Sequence, residues 1–161
     1  MTETVLNRRA REVRQGEVTS LAKRQSVPSG DVATYFVENP SSNDNKLKLK
    51  GAVVSAEREF DLDLHQNVTQ DTAGTPMPEF GHFVGQPEDL GTVEFDGAYS
   101  GLETDPAEEF VPASTTRELL GSKREGSVIL PPGSNVLIRA VNASGNESSI
   151  SVRLEISEVE R

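Results

Sequence analysis

The sequence predicts an all-β protein, an antiparallel β-sandwich, and three observations carry that prediction. Ile150, Val152, Leu154 and Ile156 alternate with Ser151, Arg153, Glu155 and Ser157, which gives a strand one apolar and one polar face. Short runs of this kind recur along the chain, separated by Gly, Pro, Asn and Ser. No alternation of strand and helix patterns is present to support a parallel sheet.

Taken in order, Leu6, Ala10 and Val13 fall at helical spacing among arginines, which suits either a short amphipathic helix or an extended arm. Val27-Pro28-Ser29-Gly30 punctuates the chain, and Asp31 to Val37 reads as the first strand of the body. Lys46 to Ser55 is a second strand with Gly51 as a bulge position, and Glu59 to His65 is a third, with Phe60, Leu62 and Leu64 facing inward. From Gln66 to Glu125 the order weakens. Long loops are expected there, with strand signals only at Val93-Glu94-Phe95 and Phe110-Val111 and a helical turn over Ser114 to Leu120. Pro131-Pro132-Gly133 breaks the chain before Asn135 to Val141. The Gly/Asn/Ser-rich stretch from Ala143 to Ser149 then reverses it into the last strand. Many short strands of this sort suit a jelly-roll-like sandwich. The expected organisation is an N-terminal basic docking arm over residues 1–30 and a sandwich domain over 31–161.

Composition bounds the function. Apolar residues make up 34% of the 161, so the core is thin and subunit contacts are expected to add stability. Cysteine is absent, which excludes disulfides and thiol chemistry, and two histidines are poor material for a zinc site. No apolar stretch is long enough to cross a bilayer as a helix. Net charge is −10, unevenly spread: residues 1–25 hold six basic and three acidic groups, a local +3, and the remainder holds 10 basic and 23 acidic, a net of −13. The acidic body, with Arg exceeding Lys eleven to five, resembles proteins of extreme halophiles.

Candidate chemistry is sparse. Glu59, Asp61, Asp63 and His65 alternate onto one outward strand face, where a cation or paired acids would be conceivable, but a solvated polar face is the expected reading. His65 and His82 are the available bases for a nucleophilic site, and neither stands in a catalytic motif. No enzymatic activity, cofactor or metal is expected. Asn67-Val68-Thr69, Asn142-Ala143-Ser144 and Asn146-Glu147-Ser148 match the glycosylation acceptor pattern, the last two in an expected exposed turn. Arg8, Arg9, Arg11 and Arg14 are the docking candidates. Their guanidinium groups suit carboxylates on a partner protein, because the acidic body behind them repels nucleic acid.

The segments Asn7 to Glu17, Tyr35 to Pro40, Leu47 to Val54, Leu130 to Arg139 and Val152 to Ile156 together resemble small virion structural proteins of tailed bacterial and archaeal viruses. In such proteins a strand ending in Asn-Pro is followed by a charged loop, and a Pro-Gly turn precedes the final hairpin. The resemblance leaves residues 66–125 unmatched. It implies a capsid decoration or turret protein on the particle surface of a haloarchaeal virus, contacting capsid or other virion proteins and forming a homotrimer or homopentamer, with no nucleic-acid or membrane partner. The alternative is a receptor- or carbohydrate-binding module of a tail or spike.

Overall fold

A computed structural model describes residues 18–77, 79–81, 91–102, 108–110, 116–120 and 128–159. Among these residues the chain is all-β, without helix, and every strand pairing is antiparallel. The strands are β1 (Val18–Val27), β2 (Val32–Glu38), β3 (Lys46–Ala56), β4 (Phe60–Gln66), β5 (Thr69–Thr72), β6 (Thr75–Pro76), β7 (Glu79–Gly81), β8 (Thr92–Phe95), β9 (Ala98–Ser100), β10 (Glu108–Phe110), β11 (Thr116–Leu120), β12 (Val128–Leu130), β13 (Asn135–Asn142) and β14 (Ser148–Val159).

Two six-stranded sheets form. Sheet A runs β11-β3-β14-β1-β7, with β12 also on β3, and sheet B runs β10-β4-β13-β2-β8-β6. The inward residues of both sheets belong to one apolar cluster that includes Leu21, Leu49, Val54, Val152 and Leu154 from sheet A and Tyr35, Leu62, Val136 and Ile138 from sheet B. The packing is sandwich-like. Alternation dictates it, since each of these strands has one row of apolar residues that must leave water, each side chain contributing about 1.5–3 kcal/mol on burial. The Tyr35 hydroxyl spans the layers and donates to the Ile150 carbonyl of sheet A at 3.4 Å.

β11 and β12 pair with successive halves of β3, at Ala52–Ser55 and Leu47–Leu49. Gly51 marks a register shift, because Glu155 opposes Gly51 and Ile156 opposes Leu49, leaving Lys50 as the extra residue. The bulge expected from the sequence is there.

A small third layer, the β5–β9 ribbon, lies outside sheet B. Val68 and Tyr99 pack on Phe36 and Leu137, which point away from the main core, and the Tyr99 ring lies 5.0 Å from that of Phe36. This is why residues 35–37 and 135–138 are buried without alternation.

Three expectations require correction. The boundary at residue 30 falls inside the body, because β1 is an interior strand of sheet A, held by β14 on one side and β7 on the other. Lys23 and Arg24 are therefore strand residues. Among the described residues, 66–125 hold seven short strands, β5 to β11; β8 and β10 fall on the strand signals at Val93-Glu94-Phe95 and Phe110-Val111, whereas β5, β6, β7 and β9 stand where loops are expected. The helical turn over Ser114 to Leu120 is instead a strand at Thr116–Leu120, since pairing with β3 outweighs the weak local helix signal.

Candidate functional site

The ladder registers sort the connections to two ends of the sandwich. Val18 pairs with Ser157, Lys46 with Val159 and Glu38 with Asn135, so both described chain ends and the 39–45 and 131–134 connections share one pole. At the other pole Val27 pairs with Ser148 and Asn142 with Phe60, which gathers the 28–31, 57–59 and 143–147 connections.

Each pole is fastened by buried asparagines. At the first, Asn39 Nδ2 donates to the Leu130 carbonyl at 2.8 Å and the Asn45 carbonyl at 2.9 Å, while its own carbonyl accepts from Gly133 N at 2.7 Å. Gly133 has φ +83° in a turn closed by Ser134 N and the Pro131 carbonyl at 3.1 Å, a conformation that suits glycine. Nearby, Asn135 Nδ2 donates to the Val68 carbonyl and its Oδ1 accepts from Val68 N, both at 2.9 Å, so one side chain imitates a strand neighbour. At the second pole Asn142 Nδ2 donates to the Val27 carbonyl at 2.9 Å and the Asn146 carbonyl at 2.7 Å. Sequence reasoning missed these pins. Their only signal was Asn at a strand end beside a turn, a common pattern that does not specify burial.

The sequon positions follow from this geometry. Asn142 is the last residue of β13 and is buried, so it is not in the exposed turn expected for it, and its amide is engaged on both sides. Asn146 is exposed, but Ser148, the hydroxyl residue of its sequon, is buried and accepts from Arg58 N. Asn67 is exposed with φ +53°, and Thr69 beside it is exposed as well. Asn67 is the sequon with both polar residues open to solvent.

The acidic strand face is real but only partly solvated. Asp61 and the preceding Glu59 are exposed, Asp63 is half-buried and His65 is buried. His65 Nε2 lies 3.0 Å from Asp63 Oδ1, and Arg139 Nη1 donates to Asp63 Oδ2 at 3.3 Å. His65 stands beside Leu137 in the ladder, at the margin of the patch covered by the ribbon. Arg139, one strand over, supplies the counter-charge that residues 59–65 lack, and only sheet pairing reveals it. Among the described residues His65 meets no nucleophile, and no group of three or more acidic or histidine residues is arranged to hold a metal. His82 and the docking candidates Arg8, Arg9, Arg11 and Arg14 lie outside the described residues.

The charge is divided between the sheets. The strands of sheet A carry seven basic and four acidic residues, a net of +3, and those of sheet B carry one basic and six acidic, a net of −5. On β3, Lys46, Lys48 and Lys50 stand at alternate positions opposite the buried Leu47 and Leu49, and therefore face outward. Arg153 and Arg24 extend the basic side across β14 and β1; both are exposed. Local partners reduce this field without cancelling it: Arg24 pairs with Glu57 at 3.2 Å, and Arg153 lies 3.9 Å from Glu155.

Two tyrosines hold their protons strongly. Burial pushes Tyr35 up to about 12. Burial, reinforced by the nearby carboxylate of Glu94, pushes Tyr99 up to about 12 as well.

No protein-family model matches this sequence, and a search of the curated proteins finds no match.

Proposed function

We propose that this chain is a non-enzymatic structural protein of a virus particle, a jelly-roll sandwich that decorates a capsid surface or builds a turret and is fixed there by its basic N-terminal segment. The strand order supports the jelly-roll assignment. Successive strands β1/β2, β3/β4 and β13/β14 alternate between sheets, giving β1-β14-β3-β11/β12 in one and β2-β13-β4-β10 in the other, the connectivity of two interlocked Greek keys. That architecture serves capsid proteins and lectins alike, so the function rests on the polarity of the molecule. The observation that carries the reading is that β1 begins at the pole where β14 ends, with a segment containing Arg8, Arg9, Arg11 and Arg14 immediately before it. A tether at one end leaves the opposite pole to project. The acidic excess and the preference for Arg over Lys support a halophilic source, since molar salt screens repulsion among surface carboxylates.

Deletion of residues 1–16 tests the proposal while sparing β1. The truncated protein is expected to keep its circular dichroism and melting temperature but to occupy particles lacking the native protein at least about tenfold more weakly, a loss of about 1.4 kcal/mol or more. Full occupancy by the truncated protein rejects the tether.

A receptor- or carbohydrate-binding role is the second reading. The far pole favours it, because Arg24, Glu57, Arg58 and Glu147 are exposed there around three connections. Comparing binding to host cells with binding to undecorated particles separates the two.

A further inference from the structure

We infer that two copies of this chain pair edge to edge through β1, related by a two-fold axis at Gln25, so that their sheets A join into one continuous sheet. The inference goes beyond the tether, because it concerns contacts between copies and stands on the open edge of β1 alone.

Half of one edge of β1 is open among the described residues. β14 pairs with the strand from Val18 to Val27, but on the other side β7 reaches only Thr19 to Leu21. β7 begins at Glu79, directly after Pro78, which has no N–H to carry the ladder further. At the far end the Val27 carbonyl accepts from Asn142 Nδ2 at 2.9 Å. Between these limits Ala22 to Ser26 meets no further described strand, and such an edge is a template for pairing with another chain.

Edges are ordinarily blunted by brevity, proline, a bulge or projecting charge. The outer strands β6, β7, β10, β11 and β12 hold only two to five residues. β1 lacks these devices. It contains no proline or glycine, and its register with β14 is unbroken. Its two cations are drawn away from the open edge: Lys23 lies with its ammonium 4.5 Å from the centre of the Phe95 ring, and Arg24 donates to Ser149 Oγ at 3.1 Å and Glu57 Oε1 at 3.2 Å, on the β14 side.

The register follows from which residue can stand opposite itself. Facing residues of a continuous sheet share one side, so the axis passes through a single residue. At Lys23 or Arg24 it sets like charges against each other, and at Ala22 or Ser26 it runs the ladder into β7 or Pro28. At Gln25 it sets Lys23 against Val27 and Arg24 against Ser26, with no like-charged pair, and β7 of each copy stands beyond Val27 of the other. Gln25 supplies a further reason. It is half-buried beside Tyr35, and its buried Nε2 has no hydrogen-bond partner of good geometry among the described residues. An unmade bond there is costly, and the Gln25 carbonyl of the other copy supplies the acceptor once both amides turn toward the axis. Main-chain hydrogen bonds and an uncharged side-chain pair make up this contact, so it withstands the molar salt that screens charges. It is isologous and closes at two copies. The N-terminal segments leave from opposite ends of the pair, so a docked copy carries the second above it, free pole to free pole.

Sedimentation velocity of the full chain tests this. The natural protein is expected to reach a dimer and no larger species as concentration rises, equally at about 0.1 M and about 1 M salt. The chain lacks cysteine, so single cysteines report the register. Residues opposed at the axis have Cα atoms about 4.5–5.5 Å apart, within reach of a disulfide. Gln25→Cys is expected to cross-link the two copies at least about tenfold faster than Arg24→Cys or Ser26→Cys, although positions 24 and 26 are the more exposed. Gln25→Lys and Gln25→Glu each place like charges on the axis and are expected to dimerise ~10-fold more weakly at low salt, with circular dichroism unchanged, and an equimolar mixture of the two to recover. A natural protein that stays monomeric at millimolar concentration, or that forms trimers, pentamers or open rows, overturns the inference. So does cross-linking through position 24 or 26 as fast as through 25, or a mixture that fails to recover. Particle occupancy through residues 1–16 is measured separately, so either result stands without the other.

Discussion

Sheets A and B have the same number of strands and the same antiparallel pairing, yet they treat their outer faces differently. β14 of sheet A alternates cleanly from Ile150 to Ile156. At its centre sheet B buries Tyr35, Phe36 and Val37 in succession, and Val136, Leu137 and Ile138 likewise. The cause is the β5–β9 ribbon, which turns one region of a two-layer protein into three layers. Outward residues of sheet A can therefore be chosen for solubility and partners, whereas outward residues at the centre of sheet B hold the structure together.

The sharpest way to break this comparison is to truncate one outward residue on each sheet. Phe36→Ala is expected to cost about 3–5 kcal/mol in urea unfolding, as for a core aromatic. Val53→Ala, outward but half-buried on sheet A, is expected to cost no more than about 1 kcal/mol. Equal losses would mean that the ribbon adds no third layer.

A second experiment examines the link between the sheets. Tyr35 is neutral in the folded chain up to about pH 12, whereas in the unfolded chain it ionises near its ordinary value of 10. Below pH 10 both states keep the proton and stability is unaffected. Between pH 10 and 12 the unfolded state releases its proton first, so stability falls, by about 2–3 kcal/mol for a two-unit difference. Alkaline melts of the natural protein and of Tyr35→Phe check this; because Tyr99 is raised to about 12 as well and adds a similar decline over the same window, the variant is expected to lose about half of the tyrosine-linked fall.

The smallest of the three effects refines the account of how the ribbon is held. Asn135→Ala leaves the Val68 N–H and carbonyl without their partners and is expected to cost about 1–3 kcal/mol. Amide exchange at Val68 is expected to quicken more than at Ile138, which keeps its place in the ladder. A uniform increase across sheet B would show that Asn135 supports the whole sheet.

Much of the two-layer body was legible in the sequence. β2, β3, β4, β13 and β14 are the segments in which a hydrophobic period of two runs long enough to exceed local noise, and the bulge at Gly51 follows from glycine within such a run. β1 was missed because Val18 to Val27 interrupts its apolar row with Lys23 and Gln25, two half-buried residues that no periodicity marks as inward. Lys23 lies with its ammonium 4.5 Å from the centre of the Phe95 ring, a contact between distant segments. The strands between residues 69 and 120 are two to five residues long. They exist through their neighbours and leave almost no pattern of their own. The charge division was half visible: Lys46, Lys48 and Lys50 at alternate positions declare one basic strand face, but its alignment with Arg24 and Arg153 needs the ladder.

The central position of β14, between β3 and β1, has a kinetic consequence. Sheet A joins the earliest and latest strands of the described chain, so its middle cannot assemble until β14 has been synthesised, and the edges of β1 and β3 that flank it must wait unpaired although their other edges can meet β7, β11 and β12 earlier. Such distant pairing closes large loops before any reward and belongs to slow folders. Refolding is accordingly expected to proceed over milliseconds to seconds, with β1 and β3 vulnerable to mispairing until the last strand arrives between them.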